Sequence, residues 1–131
     1  MLPMRHRLRA AAEFSATVRS GARSGRRNVV LYARLRPEAD HAEPTRFGFI
    51  VSKAVGNAVT RNLVKRRLRA VAAQELPSLA SGYDVVVRAL PASAQATWAG
   101  LSADARRALD NSCQQAAELK TESRRRRHSV G

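Results

Sequence analysis

The sequence predicts an α/β (α+β) two-layer sandwich, with elements in the order α-β-β-α-β-α around a small mixed central sheet. Two patterns predict it. Asn28–Arg36, Arg46–Ser52 and Tyr83–Leu90 are short runs rich in β-branched and aromatic residues and read as strands. Ala11–Arg19, about Ala58–Glu75 and about Ser93–Leu119 place apolar residues at helical spacing. The 131 residues make about one domain, residues 1–119, large enough to bury a core and without internal repeats.

Each element has its own signal. In the first helix Phe14 and Val18 stand at i and i+4, and Ser20-Gly21 stops it. Ala22–Arg27 is polar and basic and reads as a loop. In the first strand Leu31, Ala33 and Leu35 point one way, and Val30, Tyr32, Arg34 and Arg36 the other. The acidic, proline-bounded segment Pro37–Pro44 reads as a hairpin connection to the second strand, where Phe47, Phe49 and Val51 share a side. A turn around Gly56 leads to the second helix, with Asn57 as N-cap because its side-chain oxygen can accept an orphan backbone N–H. Pro77 and Ser81-Gly82 end that region. The third strand is mostly apolar, which predicts a central place in the sheet. Trp98, Leu101, Ala105, Ala108 and Leu109 form the buried stripe of the last helix, with Arg106 and Arg107 on its rim. Residues 1–8 are a basic N-terminus expected to be flexible. Residues 120–131, with Arg124–Arg127, lack apolar periodicity and are expected to be a disordered cationic tail.

Charge narrows the function. The formal net charge is +14, which calls for a polyanionic partner. It is uneven: Met1–Arg36 holds nine arginines against the single acid Glu13, and Pro44–Gln74 holds seven cations and no acid. The acids Glu38, Asp40 and Glu43 share the loop between these blocks. Cys113 is the only cysteine, which excludes an intramolecular disulfide and a cysteine-based zinc site and fits a reducing cytoplasm. No apolar run approaches the roughly 18 residues that span a bilayer. The N-terminus lacks the apolar core of a signal peptide, and it runs directly into a patterned helix, unlike a transit peptide.

The segment Lys53–Arg69, KAVGNAVTRNLVKRRLR, carries the strongest functional signal. It sets six cations in seventeen residues without an acid. At about 100° per residue, Arg61, Asn62, Lys65, Arg66 and Arg69 fall within an arc of roughly 140°, with Val64, Leu68 and Val71 on the other side. No acid at i±4 relieves the repulsion. The turn Val55-Gly56-Asn57 brings backbone N–H groups at a helix N-terminus to the edge of the same face, where anions bind readily. Together these predict phosphate binding rather than a merely solvated face. Tyr32 shares a strand face with Arg34 and Arg36, and an exposed aromatic among cations can stack on an unpaired base. Phe14 divides between core packing and that role; Trp98 and Phe49 read as core.

Catalytic machinery is not evident. His6, His41 and His128 lie in the N-terminus, the acidic loop and the tail, and the carboxylates are scattered. Ser15, Ser52 and Thr60 have no base nearby in sequence. No protein catalytic residue and no metal site are expected.

On Lys53, Gly56-Asn57-Ala58-Val59, Arg61-Asn62, Lys65-Arg66 and Arg69, the segment resembles the signature of the bacterial ribonuclease P protein subunit. The likeness extends over roughly residues 7–118, through the Glu13-Phe14 helix, the Leu31-Tyr32 strand, Ser52-Lys53 and the strand Tyr83 to Arg88. The resemblance implies a left-handed β-α-β crossover, against the usual hand. It implies that Lys53, Asn57, Arg61, Asn62, Lys65, Arg66 and Arg69 contact a catalytic RNA subunit. It implies that Phe14, Tyr32, Arg34, Ser52 and Lys53 line a cleft for the single-stranded 5′ leader of precursor tRNA. The implied role is that of an accessory subunit of an RNA-based endoribonuclease that removes the leader in tRNA processing. Magnesium would be held mainly by the RNA subunit, in the cytoplasm, with no membrane and no stable protein partner. Val18 and Ala54 depart from the pattern where an aromatic and a lysine are common. A ribosomal-type RNA-binding protein without linked cleavage is the alternative; an autonomous nuclease lacks its acidic cluster, and a membrane-surface protein lacks bulky apolar residues on the basic helix.

Overall fold

The computed structural model describes residues 2–37 and 42–129. In chain order the elements are α1 (Ala11–Ser20), β1 (Ala22–Gly25), β2 (Val29–Leu35), β3 (Arg46–Ile50), α2 (Ala58–Glu75), β4 (Tyr83–Ala89) and α3 (Trp98–Ser129), with short 3₁₀ turns between some of them. The sheet order is β1-β2-β4-β3: β2 is antiparallel to β1 and β4, and β3 is parallel to β4. This is the mixed sheet of the predicted sandwich, and β4 occupies the central place its apolar sequence predicts.

The hairpin expectation fails. β2 and β3 are not neighbours, because β4 lies between them. Glu38, Ala39, Asp40 and His41, the middle of that connection, lie outside the described residues. The loop reading of Ala22–Arg27 fails too: β1 forms there without a β-branched residue. Its small residues Ala22 and Ser24 pack inward opposite Ala33 and Leu31 while Arg23 stays exposed. Pairing with β2, not intrinsic propensity, makes this strand.

The N-terminus, expected to be flexible, is bound to the sheet. His6 Nδ1 lies 2.8 Å from the Thr45 carbonyl, the Leu8 N–H donates to Phe47 O at 2.8 Å, and Leu2 and Leu8 are buried. The segment thereby covers the outer edge of β3, which would otherwise present unpaired backbone groups.

Val29, Leu31 and Ala33 of β2, Phe47 of β3 and Val85, Val87 and Ala89 of β4 form the core with Val64, Leu68 and Val71 of α2 and Leu101, Ala105, Ala108 and Leu109 of α3. Alternation along the strands puts these residues on one face, covered by α2 and α3. Trp98 departs from the expected stripe: it is 39% exposed, because α3 begins there rather than at Ser93, after a 3₁₀ turn over Pro91–Gln95. Phe49, expected in the core, is only partly buried, and the Arg69 guanidinium lies 6.0 Å from its ring centre. Cys113 is buried; that burial, then Asp110, pushes its thiol up to about 12, so it stays protonated at neutral pH.

α3 does not stop near Leu119. It runs to Ser129, so the segment expected to be disordered is helical as far as it is described; Val130 and Gly131 lie outside. The tail's arginines are good helix formers, and an existing helix needs no new nucleus to elongate.

α1 crosses the opposite face of the sheet over β2 and β4. Its Phe14 ring lies directly on the backbone of Gly48 in β3, where any Cβ would overlap it. Gly48→Ala is therefore expected to lower stability by about 1–3 kcal/mol, the usual cost of overpacking, measured by urea unfolding. A loss below about 0.5 kcal/mol would mean α1 can lift without cost.

Candidate nucleic-acid interface

α2 is set up as its sequence implies. The Thr60 N–H donates to Asn57 Oδ1 at 2.9 Å, making Asn57 the N-cap. Gly56 has φ +154°, which side chains rarely adopt, and a Cβ there would press on Thr60. Val64, Leu68 and Val71 are buried, which turns the arc of Arg61, Asn62, Lys65, Arg66 and Arg69 away from the core. Asn62 and Arg66 are exposed; Arg61, Lys65 and Arg69 are half-buried at the rim. Arg61 Nε is screened from solvent and has no hydrogen-bond partner among the described residues, leaving a donor unmet beside its charge. Arg67, outside the arc, is held by the Ala96 carbonyl at 3.2 Å. Lys53 is exposed in the preceding turn, closed by Val55 N–H to Ser52 O and Gly56 N–H to Lys53 O.

A second surface lies on the other side of the sheet. Register places Arg23, Tyr32, Val86 and Gly48 in one row across β1, β2, β4 and β3, and Gly25, Val30, Arg88 and Ile50 in the next. Phe14, seated on Gly48, forms one wall, half-buried Tyr32 and Ile50 form part of the floor, and Ser52 and Lys53 are exposed where the chain leaves β3. Val86 and Val30 are buried beneath this floor, while Arg23 and Arg88 are exposed on it. This is a shallow groove with a largely apolar floor, one aromatic wall and cationic edges, suited to unpaired bases and their phosphates. Val18, one turn beyond Phe14, is 36% exposed on α1.

The opposite end of the same face is closed by charge. Asp84, fully buried, accepts from Arg36 at 2.6 Å, Arg46 at 3.0 and 3.1 Å, and Arg34 at 3.3 Å. Arg46 also pairs with Glu13, tying α1 to β3. Burial alone would lower the Arg46 pKa, but Asp84 and Glu13 outweigh it and raise it. Arg36 continues to the carbonyls of Tyr83, Glu43 and Pro44. Beside this network a cleft of about 730 Å³ is lined by Arg5, Arg7, Arg9, Arg36 and Arg46 with Glu13 and Glu43.

The structure thus places Phe14 and Tyr32 on one face of the sheet, with Ser52 and Lys53 exposed just past the end of β3, and turns the α2 arc away from the core on the other side of the sheet. Arg34 shares the face of Tyr32 but directs its guanidinium to Asp84.

The chain's residues 2–112 match the family model described as Ribonuclease P. The chain belongs to the ribonuclease P protein family. Curated relatives named "Ribonuclease P protein component" include one from Kocuria rhizophila, 59% identical over 109 residues, covering 83% of this chain and 93% of the relative. One from Streptomyces bikiniensis is 47% identical over 114 residues, covering 83% and 93%. Among solved structures, the Staphylococcus aureus RNase P protein superposes with a TM-score of 0.71 at 25% identity, covering 80% of this chain and 93% of that one. The RNase P protein of Thermotoga maritima has the same fold, with a TM-score of 0.65 at 21% identity over 76% and 91%.

Three groove residues escape a reading of the sequence of this ribonuclease P family member. Arg23 is missed with its strand. Arg88 has a visible signal: a lone charge at an outward position of an otherwise apolar strand. Ile50 has none, because it reads as an ordinary strand residue.

Proposed function

We propose that the chain is the protein subunit of ribonuclease P, binding the catalytic RNA through α2 and its turn and the 5′ leader of precursor tRNA through the groove of Phe14, Tyr32, Ser52 and Lys53. One observation carries this reading: an acid-free cationic arc and an aromatic groove lie on opposite sides of one sheet, so two polyanions can be held at once. Lys53, at the exit of β3, belongs to both.

The mechanism is electrostatic and positional. Cations on both surfaces lower the repulsion between catalytic RNA and precursor tRNA. The groove holds the leader, so the precursor outbinds the leaderless product. Magnesium ions held mainly by the RNA would supply the hydrolytic chemistry. The protein's nearby carboxylates are already engaged, Asp84 by three arginines and Glu13 by Arg46 and the Ala10 N–H. Among the described residues no three His, Cys, Asp or Glu side chains group to hold a metal ion. Nor is any described helix long and apolar enough to cross a membrane. The setting is the cytoplasm, where tRNA precursors are processed.

The test is reconstitution. Added to the catalytic RNA at low magnesium, the chain should restore accurate leader cleavage; failure there, with RNA binding intact, favours a ribosomal-type RNA-binding role. A single substitution resolves the groove. Tyr32→Ala should leave assembly with the RNA intact but cost about 1–3 kcal/mol of leader binding, narrowing the precursor-to-product affinity ratio about 5- to 150-fold. An unchanged ratio removes Tyr32 from the leader site.

A further inference from the structure

We propose that Trp98, beside the apolar flank of α2 at Leu63, is a stacking platform for an unpaired base of the RNA subunit. The proposal rests on the reading that a catalytic RNA is the partner, and it adds a stacking contact to an interface otherwise made of charge.

Three observations carry it. First, Trp98 is the chain's only tryptophan, and it stands 39% exposed as the first residue of α3. A ring of that size is ordinarily well buried, so its exposure marks a surface that meets something. Its neighbours in the chain, Thr97, Ala99 and Gly100, are small and exposed as well. Second, the ring stands where α2 and α3 are joined. Arg67 donates to the Ala96 carbonyl at 3.2 Å, two residues before Trp98. Leu63, one turn before Arg67 on the same line of α2, is exposed, and so is Val59, one turn earlier. At about 100° per residue, Val59 lies only about 20° from the exposed Arg66, so this apolar flank borders the cationic arc. Third, charge selects the partner. Exposed Arg27 shares a hollow of about 270 Å³ with Ala96, Thr97 and Gly100. Asp104, the first acid of α3, is already taken by the Asn28 N–H at 3.2 Å and the Asn28 side-chain amide at 2.8 Å. Glu75 is taken by Arg106 at 2.8 Å. An apolar protein patch offers no counter-charge to Arg66 and Arg27, whereas a nucleotide brings a π face and a phosphate together. α2 and α3 share one layer, on the sheet face away from Tyr32, so the base belongs to the RNA subunit rather than the leader.

The full chain and its variants are titrated against the catalytic RNA over a range of salt. Trp98→Ala should weaken binding about 5- to 150-fold and leave the salt slope unchanged, because an indole neutralises no phosphate. Trp98→Phe keeps a stacking face and should recover most of the affinity. As the only tryptophan, Trp98 can be excited selectively. Its emission should be quenched as the RNA saturates the unaltered chain, a readout that does not depend on any variant folding. Wild-type affinity in the alanine variant, a flattened slope, or unmoved emission at saturation would overturn the proposal. So would Trp98→Phe binding as weakly as Trp98→Ala, the mark of a packing role. A narrowed precursor-to-product ratio with RNA affinity intact would move the contact to the leader and overturn it. Self-association of the free chain that Trp98→Ala abolishes would give the platform to a second copy and overturn it too. Arg61→Ala run in parallel separates the two readings: if it weakens binding and Trp98→Ala does not, only the platform falls; if neither does, the RNA-subunit reading falls with it.

Discussion

Asp84→Ala is expected to destabilise the protein by about 3–5 kcal/mol, the cost of removing one partner from a buried ion pair. The side chain is fully buried and engages three guanidiniums at 2.6–3.3 Å. Its loss would take from Arg36, itself only 4% exposed, its buried carboxylate partner at 2.6 Å. It would also leave Arg46 with Glu13 alone. Domain stabilities are only about 5–15 kcal/mol, so this one change removes a large part of the total. Urea unfolding followed by circular dichroism measures it. Asp84→Asn, which keeps an acceptor oxygen but no charge, should fall between the two. A loss below about 1 kcal/mol in the alanine variant would show that the arginines relax into water, and that the network is a surface feature despite its burial. Because Glu13 and Asp84 share Arg46, the same variant should loosen α1 and widen the groove under Phe14.

The second large effect concerns α2. Arg61→Ala/Lys65→Ala/Arg66→Ala should reduce affinity for the catalytic RNA at least about tenfold and flatten the salt dependence by about 2–3 in slope, while stability holds or rises. The direction of the stability change separates this from a packing defect. These cations have no acid at i±4 to balance them, so in the free protein they repel one another, and removing them relieves that strain. Val64, Leu68 and Val71, which hold the helix to the core, are untouched. Filter or fluorescence titration at several salt concentrations gives both affinity and slope. Unchanged affinity and slope would remove α2 from the RNA interface. Weakened binding with an unchanged slope would mean the side chains act by shape rather than by charge.

How far the sequence reaches follows from the range of the interactions. α2, its Asn57 cap, the faces of β2 and β3 and the central place of β4 are legible because each is written in local spacing. Phe14, Tyr32 and the α2 arc are legible for the same reason, and the resemblance assigns them to separate surfaces. β1 is not, since Ala22–Gly25 has the composition of a loop and becomes a strand only by pairing with β2. Nor is the N-terminal segment, whose order comes from partners some forty positions away, such as Thr45 for His6. Trp98 misleads because a large apolar residue at helical spacing suggests burial, yet it stands at the first turn of α3, where the helix has not yet reached the sheet's core. The arginines around Asp84 carry no local mark of their pairing. Arg34, which the resemblance assigns to the leader cleft, is one of three arginines held by that carboxylate, and only the structure shows the other two to be Arg36 and Arg46.

The central position of β4 constrains how the chain is made. β2 and β3 both pair with a strand synthesised after them, and β3 ends 33 residues before β4 begins, by the bounds Ile50 and Tyr83. At about 5–20 residues per second, a ribosome takes about 2–7 s to deliver the missing strand. During that interval the nascent chain carries two open strand edges and a block of acid-free cationic helix. Assembly of the sheet is thus a late, near all-at-once event, and a growing chain held up between residues 50 and 83 exposes adhesive edges rather than half a domain.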